Sequence, residues 1–419
     1  MPRREGGPVF EEVHRRWRAG ESVAVATVVA TWRSAPQPPG AAMLVAADGT
    51  VTGSVSGGCV EADLYERARG VLDTGVPELV RYGVSDDDAM AVGLTCGGVL
   101  DVFVERIDAT GFPQLGAVAA ARAAGRPVAV VTCVAADAGE PPGTAMPAGN
   151  PADTAVPADD PPSTAVSAGN PPGTSVRVDP AGRLGRRLVL ADDRVAGSLG
   201  SERLDAAAAA DAVGLLAAGR SGMLRYGYDG QRRGSGVSLF VAAYASPPRM
   251  LVFGAIDFAA AVARIGAFLG YRVTVCDARP VFATARRFPD ANEVVVDWPH
   301  RYLRAELDAG RVDGRTVVCV LTHDPRFDVP VLALALRQPL AYVGAMGSRR
   351  THDERRKRLR EEGLDEGQLA RLASPIGLDL GGRTPEETAV SVAAQIVAGR
   401  WGGTGRPLTD LAGPIHHPG

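Results

Sequence analysis

Two cysteines with glycine neighbours, Cys59 and Cys96, are the residues of this chain best suited to chemistry. Cys59 opens a segment whose apolar residues recur at helical spacing, which predicts that it lies in the first turn of a helix. A helix N-terminus favours negative charge, so Cys59 is predicted to have a lowered thiol pKa and to react as a thiolate. Both cysteines are therefore candidate catalytic residues.

The residues beside both cysteines are candidate ligand-binding residues. A glycine has no Cβ atom, so its backbone can approach a bound molecule closely. The candidates are Ser56, Gly57 and Gly58 before Cys59, and Gly97 and Gly98 after Cys96. Two other interpretations of the cysteines stay open, namely a buried thiol pair and a disulfide.

The composition is that of an ordinary globular protein. The 419 residues are 46% hydrophobic and 22% charged, and this length predicts two to three domains. The net charge of −3 gives no support to nucleic-acid binding. The chain starts with a polar, arginine-rich segment unlike a secretory signal, and no apolar run reaches membrane-spanning length. These features predict a cytoplasmic protein without a membrane span.

The cysteine count argues against a disulfide framework and against a structural zinc site. The chain has 5 cysteines, which are scattered and form no C-x-x-C pair. Cys276 and Cys319 lie within valine-rich segments that are typical of strands. We interpret them, together with Cys133, as small core residues.

An internal repeat organises the first half of the chain. Residues 53–55 recur as 197–199, and residues 80–83 recur as 224–227, both with an offset of 144 (197 − 53 and 227 − 83). The flanking segments predict strands and a helix in the same order in both copies. We therefore predict two α+β units, which cover residues 1–110 and 111–247.

The second α+β unit, residues 111–247, has lost the candidate chemistry. At the same offset Cys59 corresponds to Arg203, and no second C-G-G sequence is found. A long insertion at about residues 135–175 replaces a proline-rich loop of the first unit. It is rich in Pro, Gly and Ala and is predicted to be disordered. Because it lacks the candidate cysteines, the second α+β unit is interpreted as scaffold.

The remainder of the chain alternates short apolar strands with helices. This alternation predicts a parallel, doubly wound sheet over residues 248–402, followed by a flexible tail at 403–419. The predicted fold class is thus α/β, with an N-terminal pair of repeated α+β units followed by a Rossmann-like doubly wound parallel sheet.

The first strand of this second half leads into an altered dinucleotide fingerprint. Gly254 is present, but Ile256 replaces the glycine that lets a pyrophosphate approach, and Asp257 adds negative charge. Asp277 ends the next strand, where it could bind a ribose hydroxyl. Binding of NAD(P) and a Rossmann scaffold with little nucleotide affinity both stay open.

Further polar residues follow later strands of the same sheet. Open α/β sheets bind ligands at the carboxyl ends of their strands, so these residues are candidate ligand contacts. His323 could act as an acid, a base or a ligand, and the residues before the basic helix could hold an anion. The candidates are His323, Asp324, Gly347, Ser348, Arg349 and Asp379.

Five ordered motifs resemble the XdhC/CoxI family, which contains accessory proteins of xanthine dehydrogenase and related molybdenum hydroxylases. The resemblance implies a protein that binds molybdenum cofactor, supports its sulfuration with a cysteine desulfurase, and delivers it to the apo-enzyme. The motifs are G-S-V-S-G-G-C-V-E (53–61), C-G-G (96–98), L-T-H-D (321–324), Y-V-G-A-M-G-S-R-R (342–350), and P-I-G-L-D (375–379) followed by R-T-P-E-E (383–387).

The resemblance also implies roles for individual residues and partners. Cys59 and Cys96 would contact the molybdenum cofactor or carry sulfur, since soft thiolates suit molybdenum. A chaperone is favoured over a catalyst, and the assembly could be a homodimer. Family members usually carry G-x-G-H after the first Rossmann strand, whereas this chain has G-A-I-D at 254–257. The alternatives are an NAD(P)-dependent oxidoreductase and a docking scaffold without bound cofactor.

Overall fold

The computed structural model describes most of the chain, which divides into two compact units. One unit covers residues 7–246 and the other residues 247–412. The described residues are 7–32, 37–58, 60–83, 98–136, 174–176, 182–192, 194–232, 234 and 236–412. Cys59, Cys96 and Gly97 lie outside them, as does nearly all of the predicted insertion, so its predicted disorder stays a prediction.

The first unit begins with an antiparallel sheet that carries one helix of the predicted repeat. Its strands follow the order β3-β2-β1-β5-β4-β7. The apolar face of α2 packs on this sheet, where its Leu64 and Ala68 are fully buried. The elements are α1 (Gly7–Arg18), β1 (Val23–Trp32), β2 (Ala42–Ala46), β3 (Val51–Gly53), α2 (Glu61–Thr74), β4 (Glu78–Tyr82), β5 (Val99–Ile107) and the later strand β7 (Thr174–Val176).

A second sheet in the same unit repeats this arrangement. Its strand order, β9-β8-β6-β11-β10, matches β3-β2-β1-β5-β4 position by position. The pair of repeated α+β units predicted from sequence is thus present. The elements are α3 (Leu115–Ala123), β6 (Val128–Ala136), β8 (Arg187–Ala191), β9 (Arg194–Gly197), α4 (Glu202–Ala218), β10 (Gly222–Tyr226) and β11 (Val237–Tyr244).

The two sheets share even their irregularities. The register of β1 against β5 shifts at Val29, and the register of β6 against β11 shifts at Val134, the seventh residue of each strand. Both valines are buried in one cluster with Phe103 and Phe240. The matched bulges therefore bend both strands where the two sheets pack together.

The second unit is a six-stranded parallel sheet with helices on both faces, as predicted. The strand order is β14-β13-β12-β15-β16-β17, and two separate apolar cores lie on its two faces. The elements are β12 (Arg249–Phe253), α5 (Asp257–Phe268), β13 (Arg272–Asp277), β14 (Glu293–Val296), α6 (Pro299–Asp308), β15 (Val317–Val320), α7 (Pro325–Leu336), β16 (Tyr342–Ala345), α8 (Arg349–Glu361), α9 (Glu366–Ala370), β17 (Leu372–Ala373) and α10 (Pro385–Trp401).

Helix α10 begins with a capping box that its sequence predicts. Thr384 Oγ1 accepts a hydrogen bond from the Glu387 amide at 3.2 Å, and the Glu387 carboxylate accepts one from the Thr384 amide at 3.0 Å. Pro385 occupies the first helical position, where no amide hydrogen is needed. Across the described parts of both units, no helix has the length and apolar character needed to cross a membrane.

Candidate functional site

The loop between β3 and α2 carries the first candidate cysteine. Gly58 and Val60 are described on either side of Cys59, which itself lies outside the described residues. Helix α2 begins at Glu61, two residues later than the sequence pattern predicted. The loop therefore enters the helix through Glu61, whose side chain organises it.

The Glu61 carboxylate receives seven hydrogen bonds from its described neighbours. Two come from serine hydroxyls and five from backbone amides. The donors are Ser54 Oγ (2.6 Å), Ser56 Oγ (2.5 Å) and the amides of Val55 (3.2 Å), Ser56 (2.9 Å), Gly57 (3.1 Å), Gly58 (2.9 Å) and Val60 (3.1 Å). Burial raises the pKa of Glu61, but these hydrogen bonds outweigh burial and lower the pKa to about 2.

This arrangement changes what the two loop glycines can do. Their amides, proposed from sequence as ligand donors, point at Glu61 in this structure. Gly57 and Gly58 have φ angles of +84° and +122°, which side-chain-bearing residues rarely adopt. Both glycines are exposed, and a Cβ atom at either position would meet no atom within 4 Å among the described residues beyond its chain neighbours.

Gly53 and Gly57 make a matched pair for mutation, because only one of them has a crowded Cβ position. At Gly53, with φ of +88°, a Cβ would lie 2.3 Å from the carbonyl oxygen of Ala42. We expect Gly53→Ala to lower the free energy of unfolding by about 3 kcal/mol, and Gly57→Ala by about 1–2 kcal/mol from backbone strain alone. Urea unfolding of both variants measures the difference, and equal losses would contradict it.

The described residues on either side of the Cys96 segment lie next to the helix that follows the Cys59 loop. Tyr82 ends β4, just before this segment, and pairs with Leu100 of β5, just after it. The Tyr82 hydroxyl donates to Asp63 Oδ2, in the first turn of α2, at 2.5 Å. Val60, which follows Cys59, is buried in the same apolar cluster as Tyr82 and Leu100, which flank the Cys96 segment, and Gly98 is buried as well.

An ion pair braces this edge between β4 and β5. Arg81 donates from Nε and Nη2 to the two carboxylate oxygens of Asp101 at 2.7 and 2.8 Å. The Arg81 guanidinium also lies 5.2 Å from the ring centroid of Trp32, the last residue of β1. Three strands are thus tied together next to the candidate site.

The second copy keeps the turn glycine of this loop, but its helix begins earlier, at Glu202, and its hydrogen bonding differs. Gly197 repeats Gly53, because its φ is +92° and a Cβ there would lie 2.3 Å from the Arg187 carbonyl oxygen. Asp205 stands where Glu61 stands in the first copy, and in the described part of the loop it accepts one backbone hydrogen bond, from Leu199 at 2.7 Å. The carboxylate-centred loop thus belongs to the copy that carries the cysteines.

In the second unit, Gly254 serves the packing of the sheet. Its φ is +111°, and a Cβ would lie 2.9 Å from the Thr322 amide nitrogen. The glycine is needed because the turn after β12 passes close to the chain that leaves β15. This reason for glycine is independent of any bound pyrophosphate.

Asp277, proposed for a ribose hydroxyl, is fully engaged by the protein itself. Its carboxylate accepts from the Ala255 amide at 2.7 Å and from the backbone amide, Nε and Nη2 of Arg279 at 2.9, 2.9 and 2.7 Å. Burial raises the pKa of Asp277, but the hydrogen bonds from Arg279 and Ala255 give a net lowering. Each of its two oxygens thus accepts two hydrogen bonds from the protein.

The other predicted contacts lie at or near the carboxyl ends of later strands. Asp324 caps α7 and Ser348 caps α8, each by accepting from a backbone amide of its own helix. Gly347 has a φ of +152°, while His323, Arg349 and Asp379 are exposed. The capping bonds give the first two residues a structural role, and a ligand role for any of the six remains a prediction.

A buried ion pair at this edge was missed in the sequence. Arg355 donates to Asp328 Oδ2 at 2.8 Å, and both residues are only 3% exposed. Thr322 donates to the other oxygen of Asp328, and Arg355 also bonds Ser374 Oγ and the Met346 carbonyl oxygen. The available signal was an acid beside the apolar run at residues 329–336 of α7, since Asp328 lies on the buried side of that helix.

The three described cysteines are core residues, as predicted. Cys133, Cys276 and Cys319 are all buried. Burial raises the pKa of Cys276 and of Cys319 to about 12, so neither forms a thiolate at neutral pH. Within the described ranges, no group of three or more His, Cys, Asp or Glu side chains could hold a metal ion.

Both compact units contain segments that match models of known protein families. Residues 250–396 match the XdhC Rossmann domain, and residues 16–83 and 174–227 match the XdhC and CoxI family. The chain belongs to the XdhC and CoxI family. The second match omits residues 84–173, so it contains Cys59 and Glu61 but not the Cys96 segment.

Three curated relatives differ in how much of the chain they share. A protein of Bacillus subtilis (strain 168) named as a probable xanthine dehydrogenase subunit is 25% identical over 385 residues, which cover 91% of this chain and 94% of the relative. The uncharacterized protein YqeB of Escherichia coli (strain K12) is 30% identical over 177 residues, 42% of this chain and 32% of YqeB. The molybdenum cofactor insertion chaperone PaoD, also of Escherichia coli (strain K12), is 27% identical over 169 residues, 40% of this chain and 45% of PaoD.

A solved structure shares the fold over nearly the whole chain. A crystal structure described as a xanthine dehydrogenase from Bacillus halodurans superposes with a TM-score of 0.61 and 23% identity. The match covers 96% of this chain and 97% of the other. At this identity, the likeness establishes the fold alone.

Proposed function

We propose that this protein is an accessory factor of a xanthine dehydrogenase-type or CO dehydrogenase-type molybdenum hydroxylase. It binds molybdenum cofactor, supports its sulfuration with a cysteine desulfurase, and inserts it into the apo-enzyme. Support comes from membership in the XdhC and CoxI family and from similarity to a relative named as a molybdenum cofactor insertion chaperone.

The observation that carries this proposal is the ordered loop at Glu61. The loop holds described residues on both sides of Cys59 and exposes the open side of Gly57 and Gly58. The second copy has arginine in place of the cysteine and lacks the carboxylate-centred hydrogen bonds. A site for the cofactor therefore belongs to the first copy.

In this proposal the two candidate cysteines do the chemistry. Cys59 and Cys96 contact molybdenum or carry the sulfur atom that the desulfurase supplies, because soft thiolate ligands suit both tasks. Gly57 and Gly58, the exposed residues just before Cys59, face the cofactor in this proposal. The first unit therefore holds the cofactor, and the protein acts as a carrier that hands it to the apo-enzyme after sulfuration.

A nicotinamide-dependent oxidoreductase is not favoured by any observation. Asp277 already accepts four hydrogen bonds from Arg279 and the Ala255 amide, so a ribose hydroxyl would compete with these donors. Ile256 and Asp257 further disfavour a pyrophosphate at the start of α5. We therefore propose a structural role for the Rossmann unit at this position.

We expect protein purified from molybdenum-replete cells to carry molybdenum and pterin, and Cys59→Ala to lose at least tenfold of both. The reason is that the variant removes a soft ligand at the exposed loop. Metal analysis and pterin fluorescence measure the content. The matched control is Cys133→Ala, which removes a buried thiol from the second copy and should leave the content unchanged.

Two results would contradict the proposal in different ways. Equal cofactor content in wild type and Cys59→Ala would remove Cys59 from the site. A wild-type protein without cofactor would overturn cofactor binding and favour a docking scaffold.

A further inference from the structure

The loop at residues 54–60 is built around a negative charge that the protein itself supplies. Successive backbone amides that point to one centre form a typical anion-binding nest. Here the occupant is the Glu61 carboxylate, which is held by five amides and two hydroxyls. An external anion would have to displace it to reach the same amides.

The Glu61 carboxylate fixes the backbone of the described residues on both sides of Cys59. The amides of Gly58 and Val60 both donate to Glu61 Oε2, at 2.9 and 3.1 Å. The two described residues that flank Cys59 are thus tied to a single oxygen atom. Hydrogen bonds to a charged group are among the stronger ones, so the loop gains a fixed backbone without a bound ligand.

The second copy shows that the fold does not require this arrangement. Asp205 occupies the equivalent position with a shorter side chain, and it accepts from Leu199 alone among the described amides. The helix there is capped instead by Ser201, which also donates to Asp229 at 2.7 Å. The second copy therefore forms the matching sheet with one carboxylate hydrogen bond among its described residues, where the first copy has seven.

We propose that Glu61 is a positioning residue, which acts as a built-in anion and orders the loop before any cofactor arrives. The part of this inference that concerns the cofactor rests on the proposed function. In that part, the Gly57 and Gly58 amides do not hold the phosphate of an anionic pterin, because they are bonded to Glu61. The cofactor meets the loop on the exposed side of Gly57 and Gly58.

Chemical rescue of Glu61→Ala tests this role in the full-length protein. Acetate has the same atoms as the part of the side chain that the mutation removes, and acetamide is its neutral analogue. We expect amide hydrogen exchange at residues 55–58 and 60 to accelerate at least tenfold in Glu61→Ala. Acetate, but not acetamide, should restore protection, whereas neither should affect the wild type.

Two further variants complete the experiment. Glu61→Gln keeps the side-chain shape but removes the charge, so it should lose protection even if Glu61→Ala does not fold. Asp205→Ala is the matched control, since it removes the equivalent carboxylate of the second copy and should leave exchange at residues 55–60 unchanged. Unchanged exchange in Glu61→Gln, or rescue by acetamide as well as acetate, would overturn the inference.

Cofactor content separates this inference from the proposed function. If wild type carries molybdenum cofactor, Glu61→Ala should lose at least tenfold of it, and acetate should recover it together with loop protection. A variant that loses protection but keeps the cofactor would overturn the positioning role. If wild type carries none, the proposed function fails, while the exchange data still decide whether Glu61 orders the loop.

Discussion

Replacing Asp328 by alanine should destabilise the Rossmann unit by about 3–5 kcal/mol, because Arg355 is left as an unpaired charge in the interior. The two side chains are joined at 2.8 Å, and each residue is almost fully buried. Arg355 would keep only the Ser374 hydroxyl and the Met346 carbonyl oxygen, which do not neutralise its charge. The loss would be large relative to the usual stability of a domain.

Urea unfolding, monitored through hydrogen exchange of the buried β15 and β16 amides, measures this loss in the second unit alone. The double variant Asp328→Leu, Arg355→Met removes both charges and should recover most of the stability. Asp324→Ala is a matched control, since it removes an exposed helix cap nearby and should cost about 1 kcal/mol. A loss below about 1 kcal/mol in Asp328→Ala would show that the pair is not needed.

Arg187→Met should have the largest effect in the first unit, with a loss of about 3–5 kcal/mol at neutral pH. Arg187 belongs to the second copy and pairs with Glu105 of the first, so the variant breaks an ion pair between the copies. Both side chains are largely buried, and Arg187 also lies 4.5 Å from the ring centroid of Phe112. Methionine keeps most of the apolar stem, so the loss reports mainly on the charge.

The loss in Arg187→Met should depend on pH. Burial already raises the pKa of Glu105 in the wild type, although the Arg187 charge opposes it. Without Arg187, the pKa rises further above its unfolded value, so the folded state holds the proton more tightly. Arg187→Met is therefore more stable with Glu105 protonated than with Glu105 ionised. Its stability falls as pH rises through the folded-state pKa of Glu105.

Unfolding measured at pH 5 and pH 7.5 tests this sign. The difference between wild type and Arg187→Met should be smaller at the lower pH. Glu105→Gln combined with Arg187→Met should remove most of the pH dependence, because no ionisable partner remains. Arg203→Met, which breaks an exposed ion pair with Asp229, should cost about 0–1 kcal/mol at both pH values.

Local patterns in the sequence were enough to predict most of the architecture. The offset of 144 residues identified the repeated units, and the matched glycines at 53 and 197 show why both copies kept that turn. Alternating strands and helices predicted the parallel sheet, since this connection needs a crossover after each strand. The capping box at Thr384 could be recognised directly, because both of its partners lie within four residues.

The candidate site was only partly accessible to the same reasoning. The glycine-rich loop could be recognised, but its amides were assigned to an external ligand. The sequence places Glu61 two residues after Cys59, and does not show that the chain turns back so that five amides face its carboxylate. Backbone dihedrals with positive φ at Gly57 and Gly58 create that turn.

Tertiary structure also determined which charged side chains are paired or hydrogen-bonded within the protein. Asp277 had the position of a ribose ligand, but its carboxylate already accepts hydrogen bonds from Arg279 and the Ala255 amide. Arg355 lay in a charged helix whose sequence is typical of a solvated face, yet its side chain is buried against Asp328, 27 residues away. Sequence periodicity therefore determined the elements and their order, because hydrophobic burial follows local spacing. The pairing of individual polar groups depended on packing between distant segments, which local spacing does not encode.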